Sequence, residues 1–242
     1  MLVKSSPLLL RWFVLLPLLC APLAGVDQPV VNAPRVTLLP WSLAMPADLQ
    51  VGQGASARPL TLSPMAASAP LLLGTNRALR LFVPAREPGQ PDLPVLEVRL
   101  PDTLNEALVV FSPEAAGTRH LIFDTSPQTF PAGSLRLVNL SSHPAAVRIG
   151  ETVYELAPGA EQVRPLPEPT PPRLGLLVTL NLETGWTEPA LTTVNLPRAA
   201  RATCFIGSSD QAVFDDGGLT NASPRTVPRV VVSVDRTASV SP

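Results

Sequence analysis

Hydrophobic and polar residues alternate over short runs along most of the chain, and no segment carries apolar residues at sustained helical spacing. Turn-forming stretches rich in Pro, Gly and Ser separate these runs. Many short strands between closely spaced turns predict an all-β fold. The predicted strands are Arg35–Leu39, Leu49–Gly52, Pro59–Leu62, Ala78–Val83, Val95–Leu100, Ala107–Phe111, Arg119–Asp124, Ser134–Leu140, Ala146–Ile149, Thr152–Leu156, Gln162–Pro165, Leu174–Leu182, Leu191–Leu196 and Ala202–Ile206.

The stretch AAVRIGETVYEL shows how one hairpin is expected to pack. Val147 and Ile149 point to one side of the strand and Arg148 to the other. A two-residue connection, Gly150-Glu151, fits a tight turn because glycine adopts positive φ without strain. The apolar side is therefore predicted to face a core and the arginine side to face water. The buried side of the returning strand stays open.

Two long stretches share one order of strands and breaks. One begins at Val36 and the other at Leu135, and each has a strand, a serine-containing break with a proline, and a second strand that ends in glycine. Both modules also end on a strand, a Leu-Pro pair, a loop and a further strand. We interpret the echo as an internal repeat of two tandem immunoglobulin-like β-sandwich modules, residues 30–115 and 118–210. Because each module is under 100 residues and has no internal disulfide, we expect the two modules to share an interface.

The first 25 residues have the layout of a secretory signal peptide. Lys4 and Arg11 precede an apolar run and then small residues, and the run is too short to span a bilayer. We expect cleavage near Ala21, Ala24 or Gly25, and export to the bacterial periplasm or the cell exterior. Membrane attachment would then need an uncleaved signal or lipidation at Cys20, where the preceding Leu19 departs from a lipobox.

The last part of the chain, residues 211–242, changes character. A polar segment with Gly and Pro is followed by the strand-like run 228–236 and a short tail. We interpret this region as a linker that leads to a strand. The strand either docks on the fold or stays exposed, and docking is favoured because a free apolar strand promotes aggregation.

Composition narrows the classes of partner. The chain has 30 prolines in 242 residues, which disfavours long helices. Without the leader, 16 arginines face 19 acidic residues, and Lys4 is the only lysine of the whole chain. The arginines are scattered and not clustered, so we expect no nucleic-acid binding. A weakly acidic surface also gives no electrostatic attraction to anionic lipid.

Residues suited to catalysis are few. The sequence has no nucleophile elbow, zinc-protease helix, phosphate loop or dinucleotide fingerprint. Its only histidines are His120 and His143, and we interpret both as surface residues. Cys204 lies in an apolar run and is predicted to be a small buried residue. We therefore expect a non-enzyme without cofactor or metal.

Paired carboxylates are the exception, since a glycosidase needs only two. Asp102 with Glu106 and Asp215 with Asp216 are the candidate pairs. Both pairs lie in turn-like segments, where Asp commonly caps backbone groups. We interpret them as structural. The run around Asp215 also lacks the alternating ligands of a calcium loop.

The runs SLRLVNLSSHPAAVRIG and GWTEPALTTVNLPRAARATCFI, with the turn motif LAPG, carry a family resemblance. Over residues 35–207 the chain resembles a family of uncharacterised secreted bacterial proteins built from immunoglobulin-like β-modules. The resemblance implies that fold and export, and no catalytic residue. The Asn139-Leu-Ser segment is also similar to the first domain of periplasmic pilus chaperones, which hold a subunit carboxylate with an arginine and a lysine and bind by strand addition.

These patterns predict an exported structural or binding protein of the cell envelope that recognises a protein or a polysaccharide. Its interaction surface is expected to include Arg136, Asn139, His143 and Arg148. A pilus-chaperone-like protein is the second hypothesis, and it requires arginines such as Arg35, Arg136 and Arg148 to converge in a cleft between the modules. An envelope glycoside hydrolase or accessory domain is the third, and it requires two carboxylates within about 10 Å in a groove.

Overall fold

A computed structural model describes residues 33–42, 45–52, 56–87, 89–114, 117–197, 199–212 and 224–235. They lie in one compact unit, Asn32–Pro242. Within these ranges no helix is long and apolar enough to cross a membrane. The strands are β1 (Arg35–Pro40), β2 (Gln50–Val51), β3 (Arg58–Pro59), β4 (Leu71–Leu72), β5 (Ala78–Val83), β6 (Leu93–Arg99), β7 (Glu106–Glu114), β8 (Gly117–Asp124), β9 (Ser134–Asn139), β10 (Ala145–Ile149), β11 (Thr152–Leu156), β12 (Glu161–Pro165), β13 (Arg173–Leu182), β14 (Gly185–Trp186), β15 (Ala190–Asn195), β16 (Arg201–Ala212) and β17 (Pro224–Asp235).

The all-β prediction is confirmed, and the strands form two pairs of sheets. In the first half, one sheet has the order β4-β1-β7-β8 and the other β3-β2-β5-β6. In the second half, one sheet has the order β12-β9-β16-β17, and the other has β11-β10-β13 with β15 and β14 both on β13. The inner sheets are the two that contain a parallel pair, β1 with β7 and β9 with β16. Their neighbours pair antiparallel in both halves.

Each half buries the side chains that point between its two sheets. In the first half these include Val36, Leu38 and Val109 from the inner sheet and Leu79 and Leu81 from the outer sheet. The corresponding core of the second half includes Leu137, Cys204, Val147, Val178 and Leu180. Alternation along the strands produces both cores, because every second side chain points to the same face.

A third apolar core joins the halves. Side chains on the other face of both inner sheets meet there, so four layers of sheet are stacked. The first half contributes Leu39, Leu108, Val110 and Phe123, and the second contributes Val138, Phe205 and Val231. Phe205 packs edge-to-face on Phe123 at 5.4 Å between ring centroids. The inner sheets are therefore buried on both faces.

Two strands lie beyond the module limits of the sequence analysis. β8 pairs with β7 over its whole length, so the first pair of sheets extends past residue 115 to Asp124. Residues 228–235 of the strand-like run belong to β17, which begins at Pro224 and pairs with β16 from Arg201 to Ala212. Residues 213–223 and 236–242 of the segment interpreted as linker and tail lie outside the described residues, as does the predicted leader.

The hairpin β10–β11 has the predicted form. Ile149 pairs with Thr152 across a two-residue connection, and Gly150 has φ +58°. Val147 is fully buried, whereas Arg148 is exposed. On the returning strand Tyr154 packs against the core and Val153 faces water. The sequence did not decide which side of this strand is buried, and the structure shows that it is the side that carries Tyr154.

Candidate functional site

Arg136 of β9 is buried between the two halves and has no exposed surface. Its Nη2 donates a hydrogen bond to the carbonyl oxygen of Asp124 at 2.6 Å, and its guanidinium lies 4.4 Å from the ring centroid of Phe130. Its Nε is 3.0 Å from Glu161 Oε1, an ion pair without hydrogen-bond geometry. Burial lowers the pKa of Arg136, and Glu161 and Asp124 oppose that effect.

Arg201 of β16 is a second buried arginine at the same interface. Its Nη1 donates to the carbonyl oxygens of Thr125 at 2.7 Å and Phe130 at 3.0 Å. Its Nη2 pairs with Asp235 and lies 3.9 Å from Glu106 Oε2. Arg201 therefore ties the segment after β8 and the start of β7 to the second half.

Beside Arg201, a groove of about 330 Å³ opens between the inner sheets. Four charged residues line it: Arg35 and Glu106 from the first half, and Arg201 and Asp235 from the second. Hydroxyl side chains line it as well, from Thr37, Ser68, Thr125, Thr203 and Ser233. Leu108 and Phe130 supply apolar wall. The groove thus combines charged and hydroxyl side chains with apolar wall, its formal charges balance, and both halves build it.

Two carboxylates lie close together in this groove. Glu106 and Asp235 both contact Nη2 of Arg201, and each keeps about a third of its side chain exposed, 35% and 30%. The predicted partner of Glu106, Asp102, lies instead beside Arg77 at 3.7 Å. The carboxylates in the groove are engaged by one guanidinium, which is the arrangement of a structural ion-pair cluster. Asp215 and Asp216 lie outside the described residues.

Asn139 is buried at the end of β9 and organises the turn that follows. Its Nδ2 donates to the carbonyl oxygens of His143, Leu156 and Ala157, at 2.8, 3.2 and 3.1 Å. Its Oδ1 accepts from the backbone N–H and the hydroxyl of Ser141. The amide oxygen and nitrogen are both engaged, so Asn139 stabilises the loop between β9 and β10.

A row of four side chains crosses the outer face of the second half. Arg148 pairs with Val153 on one side and with Leu177 on the other, and Leu177 pairs with Leu191. Paired residues lie on the same face of a sheet, so the four side chains form one line across β11, β10, β13 and β15. Val153 is 55% exposed and Leu191 73%. We call this line the outer row.

The structure does not bring the predicted interaction residues together on a surface. Arg136 and Asn139 are fully buried. The first half covers Arg136, and the β9–β10 loop encloses Asn139. His143 is half-buried, and its carbonyl oxygen accepts from Asn139. Of the four, only Arg148 is exposed. The surface interpretation is therefore wrong for Arg136 and Asn139.

The remaining predicted residues have ordinary surroundings. Cys204 is buried, as predicted, and burial raises the pKa of its thiol to about 12. His120 lies exposed on β8. No group of three or more His, Cys, Asp and Glu in the described ranges is placed to hold a metal ion.

Arg201 and Asp235 were missed by reasoning from the sequence. Arg201 precedes an apolar strand, where an arginine usually faces water, and Asp235 ends a strand whose docking was open. Neither residue belongs to a recognisable motif. Comparisons of the sequence with protein-family models and with curated proteins found no match.

Proposed function

We propose that this chain is an exported, non-enzymatic structural or binding protein of the bacterial cell envelope, which recognises a protein or a polysaccharide. The outer row is the observation that carries the proposal. It sets exposed Val153 beside Arg148 and exposed Leu191 two strands away on the same face, on a sheet whose other face packs on the core. The layout of the first 25 residues supports export.

We further propose that the halves are tandem immunoglobulin-like sandwich modules that arose by duplication. Two observations support this. Each inner sheet has the same order of strands and one central parallel pair, β4-β1-β7-β8 in the first half and β12-β9-β16-β17 in the second. The outer sheets also correspond, because β3-β2-β5 in the first half matches β11-β10-β13 in the second. The sequence echo that starts at Val36 and Leu135 falls on β1 and β9, which occupy the same place in their sheets.

The way buried charges are used supports a binding role over a catalytic one. Arg136 and Arg201 hold backbone carbonyls and carboxylates at the interface between the halves. Asn139 holds a turn. These groups stabilise the frame, which leaves side chains on outer faces and in the groove to meet a partner.

A capture experiment tests the proposal. The full chain with an affinity tag is expressed in a Gram-negative bacterium, the envelope is fractionated, and bound proteins and glycans are identified. We expect the chain in the envelope or medium and a partner that wild type and Leu72→Asp capture equally but Leu191→Asp does not. Leu72 is 58% exposed on the first half and serves as the matched control. Retention in the cytosol, or equal capture by all three proteins, would contradict the proposal.

A pilus-chaperone-like protein is a second candidate, favoured by the groove between the halves. Arg35 and Arg201 line that groove, as converging arginines would. Three features weigh against it: Arg148 lies on the far outer face, Arg136 is covered, and Glu106 and Asp235 share the groove. Binding of a peptide with a free C-terminal carboxylate, lost when that carboxylate is amidated, would favour this candidate.

An envelope glycoside hydrolase is a third candidate, because Glu106 and Asp235 meet its requirement for two neighbouring carboxylates in a groove. Their shared contact with Arg201 is the argument against it, since retaining and inverting enzymes both need one carboxyl group as a proton donor. Release of reducing ends from envelope polysaccharide by wild type, absent in Glu106→Gln, would favour it.

A further inference from the structure

We propose that the groove between the inner sheets is a binding site for an uncharged, hydroxyl-rich ligand of the saccharide class. The inference rests on the proposed binding function and gives one of its two partner classes a site. It concerns a different surface from the outer row, so each can fail alone.

Charge balance in the groove selects an uncharged ligand. Arg35 and Arg201 contribute two positive charges, and Glu106 and Asp235 contribute two negative ones. An anionic ligand would meet both carboxylates and a cationic ligand both guanidinium groups, each at a cost when water is excluded. A ligand whose groups both donate and accept hydrogen bonds suits such a mixture. Sugar hydroxyls have this property.

The groove also has unused hydrogen-bonding capacity. The hydroxyls of Thr37, Thr125 and Ser233 have no hydrogen-bond partner within the described part of the chain. Donors and acceptors therefore remain on both walls.

Shape and rigidity agree with a small ligand. The volume of about 330 Å³ is at the lower end of the range of small-molecule sites, about 300–1,000 Å³. Leu108 and Phe130 add apolar side chains to the lining. Both walls belong to sheets fixed by the core between the halves, so the site is formed before a ligand arrives.

The test is binding of the full chain to an array of neutral oligosaccharides of glucose, galactose and N-acetylglucosamine, with uronic-acid oligosaccharides and an extended-peptide library as further arms. Array hits are measured by titration calorimetry. Thr37→Trp fills the groove, and Thr152→Trp makes the same change at the exposed tip of the β10–β11 hairpin. We expect a neutral oligosaccharide to bind, at least tenfold weaker binding by Thr37→Trp, and unchanged binding by Thr152→Trp. Circular dichroism confirms that both variants fold.

A second variant guards against indirect effects of the bulky side chain. Glu106→Gln keeps the shape of the groove and removes one acceptor oxygen, and we expect it to weaken the same oligosaccharide several-fold. The proposal is overturned if no neutral oligosaccharide binds, if only uronic acids or peptides bind, or if Thr37→Trp binds like wild type. Loss of capture by Leu191→Asp would still support the broader function in that case.

Discussion

The two halves place different residues at the same position of the same strand order, and the difference makes them one body. The pairs Val36–Ala107 and Leu135–Ala202 mark corresponding points of the inner sheets. One residue before Ala107 the first half has Glu106, and one residue before Ala202 the second half has Arg201. These two side chains meet across the interface at 3.9 Å.

Arg136 gives a second example, because its counterpart after Val36 is Thr37. The threonine lines the groove, whereas the arginine is buried under the first half beside Phe123 and Phe130. The second half thus supplies long cations, and the first half with the connecting segment supplies carbonyls and aromatic rings to receive them. Different residues at equivalent strand positions therefore make the two inner sheets complementary.

The largest expected effect comes from breaking the core between the halves. Phe205→Ala removes a fully buried ring that contacts Trp41 and Phe123. We expect the free energy of unfolding to fall by about 3–5 kcal/mol in urea titrations. Phe111 is buried within the first half and gives a matched variant of similar cost. Both variants should raise exchange of the slowest amides in both halves, because the halves unfold together, and Phe205→Ala should in addition raise exchange of amides at the interface. Exchange raised in the second half alone would contradict this.

Removing Arg136 should come next. Arg136→Ala leaves a cavity and strips the carbonyl of Asp124 of its donor, so we expect a loss of about 2–5 kcal/mol in urea unfolding. Thr37→Ala at the corresponding position should cost under about 1 kcal/mol. Arg136→Met separates packing from hydrogen bonding because it keeps most of the volume. Equal effects at Arg136 and Thr37 would remove the contrast between the halves.

Gly207 of β16 lies where the second half packs closely on the first. A Cβ built at this position meets Cζ2 of Trp41, a residue of the first half, inside normal contact distance. We expect Gly207→Ala to lower the free energy of unfolding by about 1–3 kcal/mol through overpacking. Gly175 of β13 has no atom within 4 Å of such a Cβ. Gly175→Ala should therefore be neutral or slightly stabilising, and thermal unfolding of the two variants decides.

The smallest expected effect depends on pH. Burial acts to raise the pKa of Asp124, but hydrogen bonds from Thr129 and Ser126, with Arg136 nearby, lower it below its ordinary value of 3.8. A carboxyl group with a lowered folded pKa stabilises the fold above its unfolded pKa, and this is lost as the pH falls through the folded pKa. At pH 6 the free energy of unfolding of wild type should exceed that of Asp124→Asn by on the order of 1 kcal/mol or less. The gap should shrink toward pH 2, and a constant gap would contradict it.

Local pattern predicted most of the strands, because alternation reflects which face of a strand is buried. Ala78–Val83 and Thr152–Leu156 were predicted with the bounds they have. The turn at Gly150 was predicted as well, and Gly150 has the positive φ that such a turn needs. Alternation failed at Arg136, which was expected to face water. A local pattern identifies two faces of a strand, but it cannot show that a second sheet covers the polar one.

The groove could not be predicted from the sequence for a similar reason. Arg35, Glu106 and Arg201 are far apart along the chain, and parallel pairing in each inner sheet brings them together. The partners of a buried arginine are set by tertiary contacts. Phe123 and Phe130, two aromatic residues close to Arg136 in sequence, were the only local hint.

The core between the inner sheets is expected to make the two halves unfold together. Native-state hydrogen exchange of the unmodified chain, followed by mass spectrometry at increasing urea, tests it most directly. β5 reports on the first half and β13 on the second, and both lie away from the interface. We predict that the slowest amides of both strands exchange with one opening free energy and one urea dependence. Two different opening free energies, one for each half, would show instead that the halves unfold separately.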